Sequence, residues 1–329
     1  MSVSHPDFVL PTTTIGAGVP LTRIGLGAAQ FGNMHRVTSD LESEAAVIAA
    51  WDAGIRYFDT APHYGLGLSE RRLGRALQAY PRADFVVSTK VGRLLVPSPE
   101  TAGEQDPEGF VVPATVRRRW DFSRDGILRS VESSLERLGL DHLDIVYLHD
   151  PDEHWDAAST TGIDALIELR DQGVVRAVGA GMNQSRMLAE FIRRSDVDVV
   201  MVAGRYTLLD RGAEEELLPV AEERGVGVVA AGVYNSGLLS AEVVADDALF
   251  DYAPAPRALI DRARALAALA AHHGITLPEA AVQFPLKHPA VVSVVLGTRT
   301  SAHVRSSVSR AAKAIPEPFW KELAGLGQG

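Results

Sequence analysis

The sequence contains no cysteine. That excludes disulfides, thiolate metal sites and any thiol nucleophile. Aromatic residues make up only 6% of the chain. No apolar run is long enough to span a bilayer, and the N-terminus carries no signal-peptide pattern. Repeats of solenoid period and low-complexity segments are missing too. Neither H-E-x-x-H nor a strand-end H-x-H occurs, and the adjacent His272 and His273 fall at the end of an expected helix, which argues against a metal-dependent hydrolase. An excess of positive charge is also lacking. The net charge of −10 argues against nucleic acid or an anionic membrane as partner. The expectation is a cytoplasmic protein acting on a small molecule.

What is present is apolar mass in an alternating order. Hydrophobic residues make up 46% of 329, enough for a large core, and no composition shift marks a boundary, so one domain over 1–329 is expected. Strand-like runs fall at Arg23–Gly27, Ile55–Thr60, Phe85–Lys90, Leu143–His149, Val174–Ala180, Val197–Ala203, Gly225–Ala231 and Val291–Gly297. Most are continuous and β-branched, as in parallel strands buried on both faces. Helical patterns lie between them at Ser39–Asp52, Ser69–Gln78, Asp125–Leu138, Gly162–Gln172, Gln184–Arg193, Ala213–Glu223, Ala258–His273 and Ser301–Ala312, with Ser39, Ser69 and Ser301 as N-caps.

Eight strands, each followed by a helix, predict an α/β fold of the closed (β/α)8 TIM-barrel type. A doubly wound open sheet is the rival. It calls for a Gly-rich first turn, and "GLGAAQFGN" lacks G-x-G-x-x-G. Three additions are expected: a β-hairpin around Gly16–Pro20 that plugs the N-terminal end of the barrel, an extra helix near Leu277–Leu286, and a long loop after the third strand, Val91–Ser123. A loop of that length is functional or disordered.

Barrel chemistry occurs at the C-terminal ends of the strands. The second strand ends at Asp59 with Tyr64 in its loop, the third at Lys90 and the fourth at His149. Singly, each has an ordinary structural explanation: a turn cap, a wet aromatic, a snorkelling lysine, a satisfied loop histidine. Together, on adjacent strands, they form one device. Asp59 supplies the countercharge that a buried Lys90 needs. The ammonium lowers the pKa of a phenol that ordinarily titrates near ~10. His149 can orient a substrate oxygen or help relay a proton. Such a phenol suits hydride transfer, in which a carbonyl oxygen gains or loses a proton as hydride moves at carbon.

This tetrad and its surroundings resemble the aldo-keto reductase family. "GIRYFDTAPHYGLGLSERRLG" carries its D-T-A-x-x-Y-G and S-E-x-x-L-G patterns, and "VVSTKVG" its lysine. "RSVESSLERLGLDHLDIVYLHDPD" is similar to its helix and fourth strand, and "VVLGTRTSAHVRSSV" to its last strand and helix. The resemblance implies Tyr64 as general acid/base, Lys90 as the group that lowers its pKa, Asp59 as the partner of Lys90, and His149 as the group orienting substrate. It also implies a nicotinamide dinucleotide, NAD or NADP, held by late-strand loops and a helix N-terminus, which suits anions. The cofactor candidates are Asn183; Ser236, Gly237 and Leu238; and Gly297, Thr298 and Arg299. Ordinary turn chemistry is the alternative for the glycine-containing turns.

The chain departs from the family in places. The serine before Asn183 is missing, Ala203, Gly204 and Arg205 stand where a glutamine is common, and no aromatic lies at Ala231, although Tyr234 is close. Where NADP-preferring members carry a lysine and an arginine, this chain has Gly297 and His303. NAD is therefore expected over NADP, because a dianionic 2′-phosphate binds less well without its cationic partners. Arg299 or Arg305 would restore that grip.

"GAGMNQ" and "YNSGLL" resemble the branch of L-fucose (D-threo-aldose) 1-dehydrogenases and pyridoxal 4-dehydrogenase. Oxidising a free aldehyde by hydride loss first requires an sp3 carbon, often made as a cysteine adduct, and there is no cysteine. Aldopyranoses and pyridoxal exist as cyclic hemiacetals and remove that need. The expected reaction is NAD-dependent oxidation of such a hemiacetal to its lactone, with Tyr64 taking the O–H proton. An NADPH-dependent aldehyde/ketone reductase and a dinucleotide-binding regulatory subunit are the alternatives, and sugar versus pyridoxal stays open. Trp120, Phe122, Trp155 and Tyr234 are candidate substrate contacts. Arg93 and the run Arg117, Arg118 and Arg119 are either polar contacts or a solvated loop face. Oligomeric state is not legible.

Overall fold

A computed structural model describes residues 10–251 and 253–326. The expectation of one unit over 1–329, and the N-terminal pattern, extend to residues outside that set. Eight parallel strands close into a barrel in chain order: β1 (Ile24–Gly27), β2 (Tyr57–Asp59), β3 (Val86–Val91), β4 (Leu143–His149), β5 (Val175–Met182), β6 (Val199–Ala203), β7 (Gly227–Ala231) and β8 (Val291–Gly297). The β-branched runs form these strands because each strand is covered on both sides. All of β4 is buried, for example. One face fills the barrel interior with Tyr57, Val86, Ile145, Tyr147, Val199 and Met201. The other face meets the helices. The hairpin Thr12–Ile15/Val19–Thr22 turns at Gly16–Gly18 and drives Ile15, Val19 and Leu21 into that interior cluster, closing one end.

The helices are α1 (Asp40–Asp52), α2 (Leu68–Leu77), α3 (Arg124–Leu138), α4 (Ile163–Asp171), α5 (Ser185–Arg194), α6 (Leu217–Arg224), α7 (Arg257–His272), α8 (Leu277–Gln283), α9 (Ser301–Ala312) and α10 (Glu317–Gly325). Ser39 caps α1 in a capping box with Glu42, worth about 1 kcal/mol. The other two expected caps are corrected. Ser69 lies inside α2, whose N-cap is Gly67. Its hydroxyl instead donates to Ala28 O at 2.7 Å and meets Thr60 Oγ1 at 2.8 Å, since a buried hydroxyl takes the partner that its surroundings offer. Ser301 is the first residue of α9, and Thr300 caps it by accepting from His303 N. The helix expected to Leu286 stops at Gln283, where Phe284 and Pro285 lead into a 3-10 turn. α10 was not expected; it buries Phe319 and Leu323. Among the described residues no helix is long and apolar enough to cross a membrane.

The Val91–Ser123 segment is ordered rather than a plain loop. Arg93–Pro97 and Val116–Trp120 pair antiparallel, with Arg93 opposite Trp120 and Leu95 opposite Arg118. Between them Phe110 and Val112 bury with Leu66 and pack against Tyr64 and Met34, so this hairpin is fastened to the loop after β2.

Candidate active site

Strand register brings the tetrad together. Asp59 ends β2 opposite Ser88 of β3, and Lys90 lies two residues on, facing the same way as Ser88. Lys90 Nζ donates to Asp59 Oδ2 at 2.7 Å and to Thr60 O at 3.0 Å, and Ser88 Oγ donates to Asp59 Oδ1 at 2.6 Å. Both charges are 3% exposed, so each is held by the other. The Tyr64 ring centre lies 4.9 Å from Lys90 Nζ. It lies 5.9 Å from the His149 ring, with the planes nearly perpendicular at 87°. The Tyr64 loop sits tightly on the turn after β1: Gly65 has φ 63, and a Cβ there would come within 2.2 Å of Gly32 O.

The electrostatics differ from the sequence expectation in one respect. Burial pushes the half-buried Tyr64 phenol up to about 12, and Lys90 pulls it down by less than burial raises it. The resting group is therefore a neutral phenol, and the expected lowering by Lys90 is a partial offset. Burial works to lower Lys90, but Asp59 and Tyr64 together overcome it and hold the ammonium above its usual range. Burial, reinforced by Arg93 and Lys90, keeps His149 well below the usual imidazole range, so it is neutral and suited to orienting an oxygen through one N–H.

A second ring of charge, unremarked in the sequence apart from its arginines, surrounds these four. Arg118 makes two bonds to Asp106, at 2.6 and 2.9 Å, and donates to His63 O at 2.8 Å. It is thus a buried tie rather than part of a solvated face, while Arg117 and Arg119 are exposed. Arg93 bonds Asp150 at 2.5 Å and meets His63 Nδ1 at 3.2 Å. Burial, with Arg93 and Arg118, pushes His63 down to about 2. The residues missed are His63, Asp106 and Asp150. For His63 and Asp150 the available signal was their place beside Tyr64 and His149 in "PHYG" and "HDPD"; Asp106, inside the long segment, carried none.

The four expected substrate contacts are scattered. Trp120 is 37% exposed and lies over Arg93, whose Cζ is 4.3 Å from the ring centre. Phe122 is buried in the core, in the space left by the missing side chain of Gly92. Trp155 packs edge-on against Phe191 of α5, 4.9 Å away, on the outer shell of the barrel. Tyr234 accepts from Arg310 of α9 at 2.8 Å and packs on the same shell.

The expected cofactor residues lie around the ends of β5, β7 and β8. Asn183 lines a cleft of about 430 Å³ with Gln184, Arg186, Met187 and Arg205. A cleft of about 400 Å³ between α2 and α3 touches none of the tetrad. Ser236 and Gly237 are exposed on a turn with φ of 56 and 99. The N–H groups of Gly237 and Leu238 bond within that turn, and the Leu238 side chain is in the core. Gly297 ends β8, and a Cβ there would meet Gln30 Nε2 at 2.7 Å. Thr298 is buried and donates to Leu296 O. The Arg299 guanidinium is committed to Met34 O, Arg36 O and Thr38 Oγ1, which removes it from a ligand-facing role. His303 is exposed on the first turn of α9; burial and then Arg299 and Arg36 hold it below its usual range.

A nicotinamide dinucleotide fits this side of the barrel. The N-terminus of α9, flanked by Arg36 and the side-chain-free Gly297, suits a pyrophosphate. The buried acceptors Gln30 Oε1 and Asn235 Oδ1 have no partner among the described residues. Among those residues no group of three or more His, Asp or Glu is arranged to hold a metal ion.

Comparison with known proteins bears on this site. The profile of the aldo/keto reductase family matches residues 23–327. The chain is 49% identical to a D-threo-aldose 1-dehydrogenase of a Pseudomonas species, over 94% of each chain. It is 38% identical to the pyridoxal 4-dehydrogenase of Microbacterium luteolum, over 94% of this chain and 95% of that one. Among solved structures, an aldo-keto reductase from Bacillus halodurans in its holo form superposes with a TM-score of 0.75 at 26% identity, over 97% of each chain.

Proposed function

The chain belongs to the aldo/keto reductase family and is an oxidoreductase acting on CH–OH groups, and from that premise we propose that it oxidises a cyclic hemiacetal to its lactone with NAD. The observation that carries this is the Tyr64 phenol beside an ammonium pinned by Asp59, with neutral His149 facing it. The relatives named for aldose and pyridoxal dehydrogenation support the substrate class, since both compounds form cyclic hemiacetals.

A bound nicotinamide cofactor supplies the hydride acceptor and, when oxidised, a positive charge that favours the phenolate. Tyr64 acts as base in its phenolate form, which Lys90 stabilises; it takes the proton from the anomeric hydroxyl and returns to the neutral phenol. Asp59 keeps Lys90 protonated and in place. His149 donates its N–H to the substrate oxygen and fixes its direction. NAD is preferred because Gly297 brings no side chain, His303 is neutral and Arg299 is engaged elsewhere, which leaves Arg36 and the exposed Arg305 as the nearby cations.

One observation favours a second reading. A phenol pushed up to about 12 holds its proton firmly and is poised to donate to a carbonyl, as a reductase requires. The two readings separate in one screen. Cofactor reduction is followed by absorbance with L-fucose, D-arabinose and pyridoxal, using NAD and then NADP, and the product is identified as lactone by NMR. Turnover with NAD is expected. No oxidation of any of the three, beside fast aldehyde reduction with NADPH, defeats the proposal.

A further inference from the structure

The turn after β4 brings to the rim a carboxylate that the tetrad does not use. Asp150 directly follows His149, and its backbone is in the left-handed region at φ 41, held by its N–H bond to Gly181 O at 2.9 Å. Asp tolerates that region better than most side chains. The turn throws its carboxylate back beside the imidazole, with Oδ2 3.5 Å from His149 Nε2. The same oxygen accepts from Arg93 Nη2 at 2.5 Å. Arg93 also reaches His63, so one buried guanidinium joins the residue before Tyr64 to the residue after His149. The other oxygen, Oδ1, has no hydrogen-bond partner among the described residues, in a side chain that is 34% exposed. One oxygen is anchored and one is open, beside the His149 imidazole.

We propose that Asp150 is a specificity-determining residue: its open oxygen accepts a hydrogen bond from a substrate hydroxyl next to the reacting carbon, Arg93 positions it, and the pair selects polyhydroxylated, sugar-like hemiacetals over plain ones. This rests on the tetrad being the reaction site and deepens the proposed oxidation. A carboxylate only accepts, and a polyol offers donors on neighbouring carbons. Because Arg93 already fixes the group, binding needs little reorganisation. A substrate without that hydroxyl leaves the open oxygen desolvated and without a partner, which is how a polar site rejects an apolar analogue.

The test compares Asp150→Asn with wild type on two hemiacetals, L-fucose and 2-hydroxytetrahydropyran, which lacks the neighbouring hydroxyls. Asparagine keeps the shape and can still accept from Arg93, but it turns an amide N–H toward the substrate. Loss of kcat/KM on L-fucose by roughly 10–100-fold, mainly through KM, is expected. On 2-hydroxytetrahydropyran it should stay within about 3-fold. Arg93→Met should give the same pattern more weakly, with a melting curve to confirm folding. Equal losses on both compounds, or no loss on L-fucose, overturn the proposal. If the wild type oxidises neither compound, the proposed reaction fails on its own. The same contrast is then made in reduction, with D-glyceraldehyde against butanal, and a loss confined to the hydroxylated aldehyde upholds the role of Asp150 while an equal loss refutes it.

Discussion

Replacing Lys90 with methionine separates what the lysine does for the fold from what it does for the chemistry. Its Nζ lies 4.9 Å from the centre of the Tyr64 ring. At an effective dielectric of ~20, a unit charge at that distance stabilises the phenolate by about 3 kcal/mol. Losing it moves the phenol roughly 2 pH units further from neutrality, above a value already pushed up to about 12. Oxidation that depends on the phenolate should fall by about 100-fold or more. The same change strands Asp59, which is 3% exposed and among the described residues keeps only its side-chain bond from Ser88 Oγ. An uncompensated buried carboxylate costs about 3–5 kcal/mol of stability. The two effects part company in the double variant Asp59→Asn/Lys90→Met, which removes both charges. Urea denaturation should show the double variant more stable than Lys90→Met alone, because breaking a buried pair costs more than removing it. Stopped-flow measurement of reduced-cofactor formation across the alkaline range should find the rate still lost. A Lys90→Met enzyme that keeps wild-type kcat and an unchanged pH profile refutes the claim that this ammonium tunes Tyr64.

Two further outcomes follow from the same geometry. Tyr64→Phe keeps the ring that packs on Phe110 and should leave folding and cofactor binding intact while turnover drops roughly 10²–10⁴-fold; a variant retaining most of its kcat removes Tyr64 from the proton step. His63, pushed down to about 2, and His149, also depressed, are neutral in the fold but gain protons when unfolded. Their contribution is complete above the unfolded value of ~6.5 and is lost as pH falls below it, by about 1.4 kcal/mol per pH unit for each. Urea midpoints should decline from about pH 7 to about pH 5, and His63→Asn should flatten that decline; a wild-type midpoint that stays level contradicts the buried neutral state.

The barrel was legible because its signal is local. A run such as "LDIVYLH" is apolar on both faces, and only a strand between a filled interior and a covering helix uses both. The four tetrad positions were legible for a related reason: strand ends are visible in the sequence, and a closed parallel barrel puts all its C-terminal ends on one rim. Other features were hidden because the sequence offers equivalent residues and the surroundings choose between them. Within "RRR", Arg118 is buried with Asp106 while its neighbours are exposed, since only the middle residue of that strand faces the His63 loop. Arg299 looked like a phosphate ligand and instead holds the loop at Met34 and Arg36. Phe122, a candidate substrate contact in the sequence, fills the space over Gly92.

By itself, then, the order of residues determined the eight-stranded closure, the strand ends at which Asp59, Lys90 and His149 stand, and the exclusion of thiol chemistry, because each follows from patterning within a segment or from simple absence. Tertiary structure alone decided the charge state in which Tyr64 rests, the partners that Arg93 and Arg118 take, and the one oxygen of Asp150 left open. Those outcomes are contests between desolvation and nearby charge, and their balance depends on distances between side chains that lie far apart along the chain.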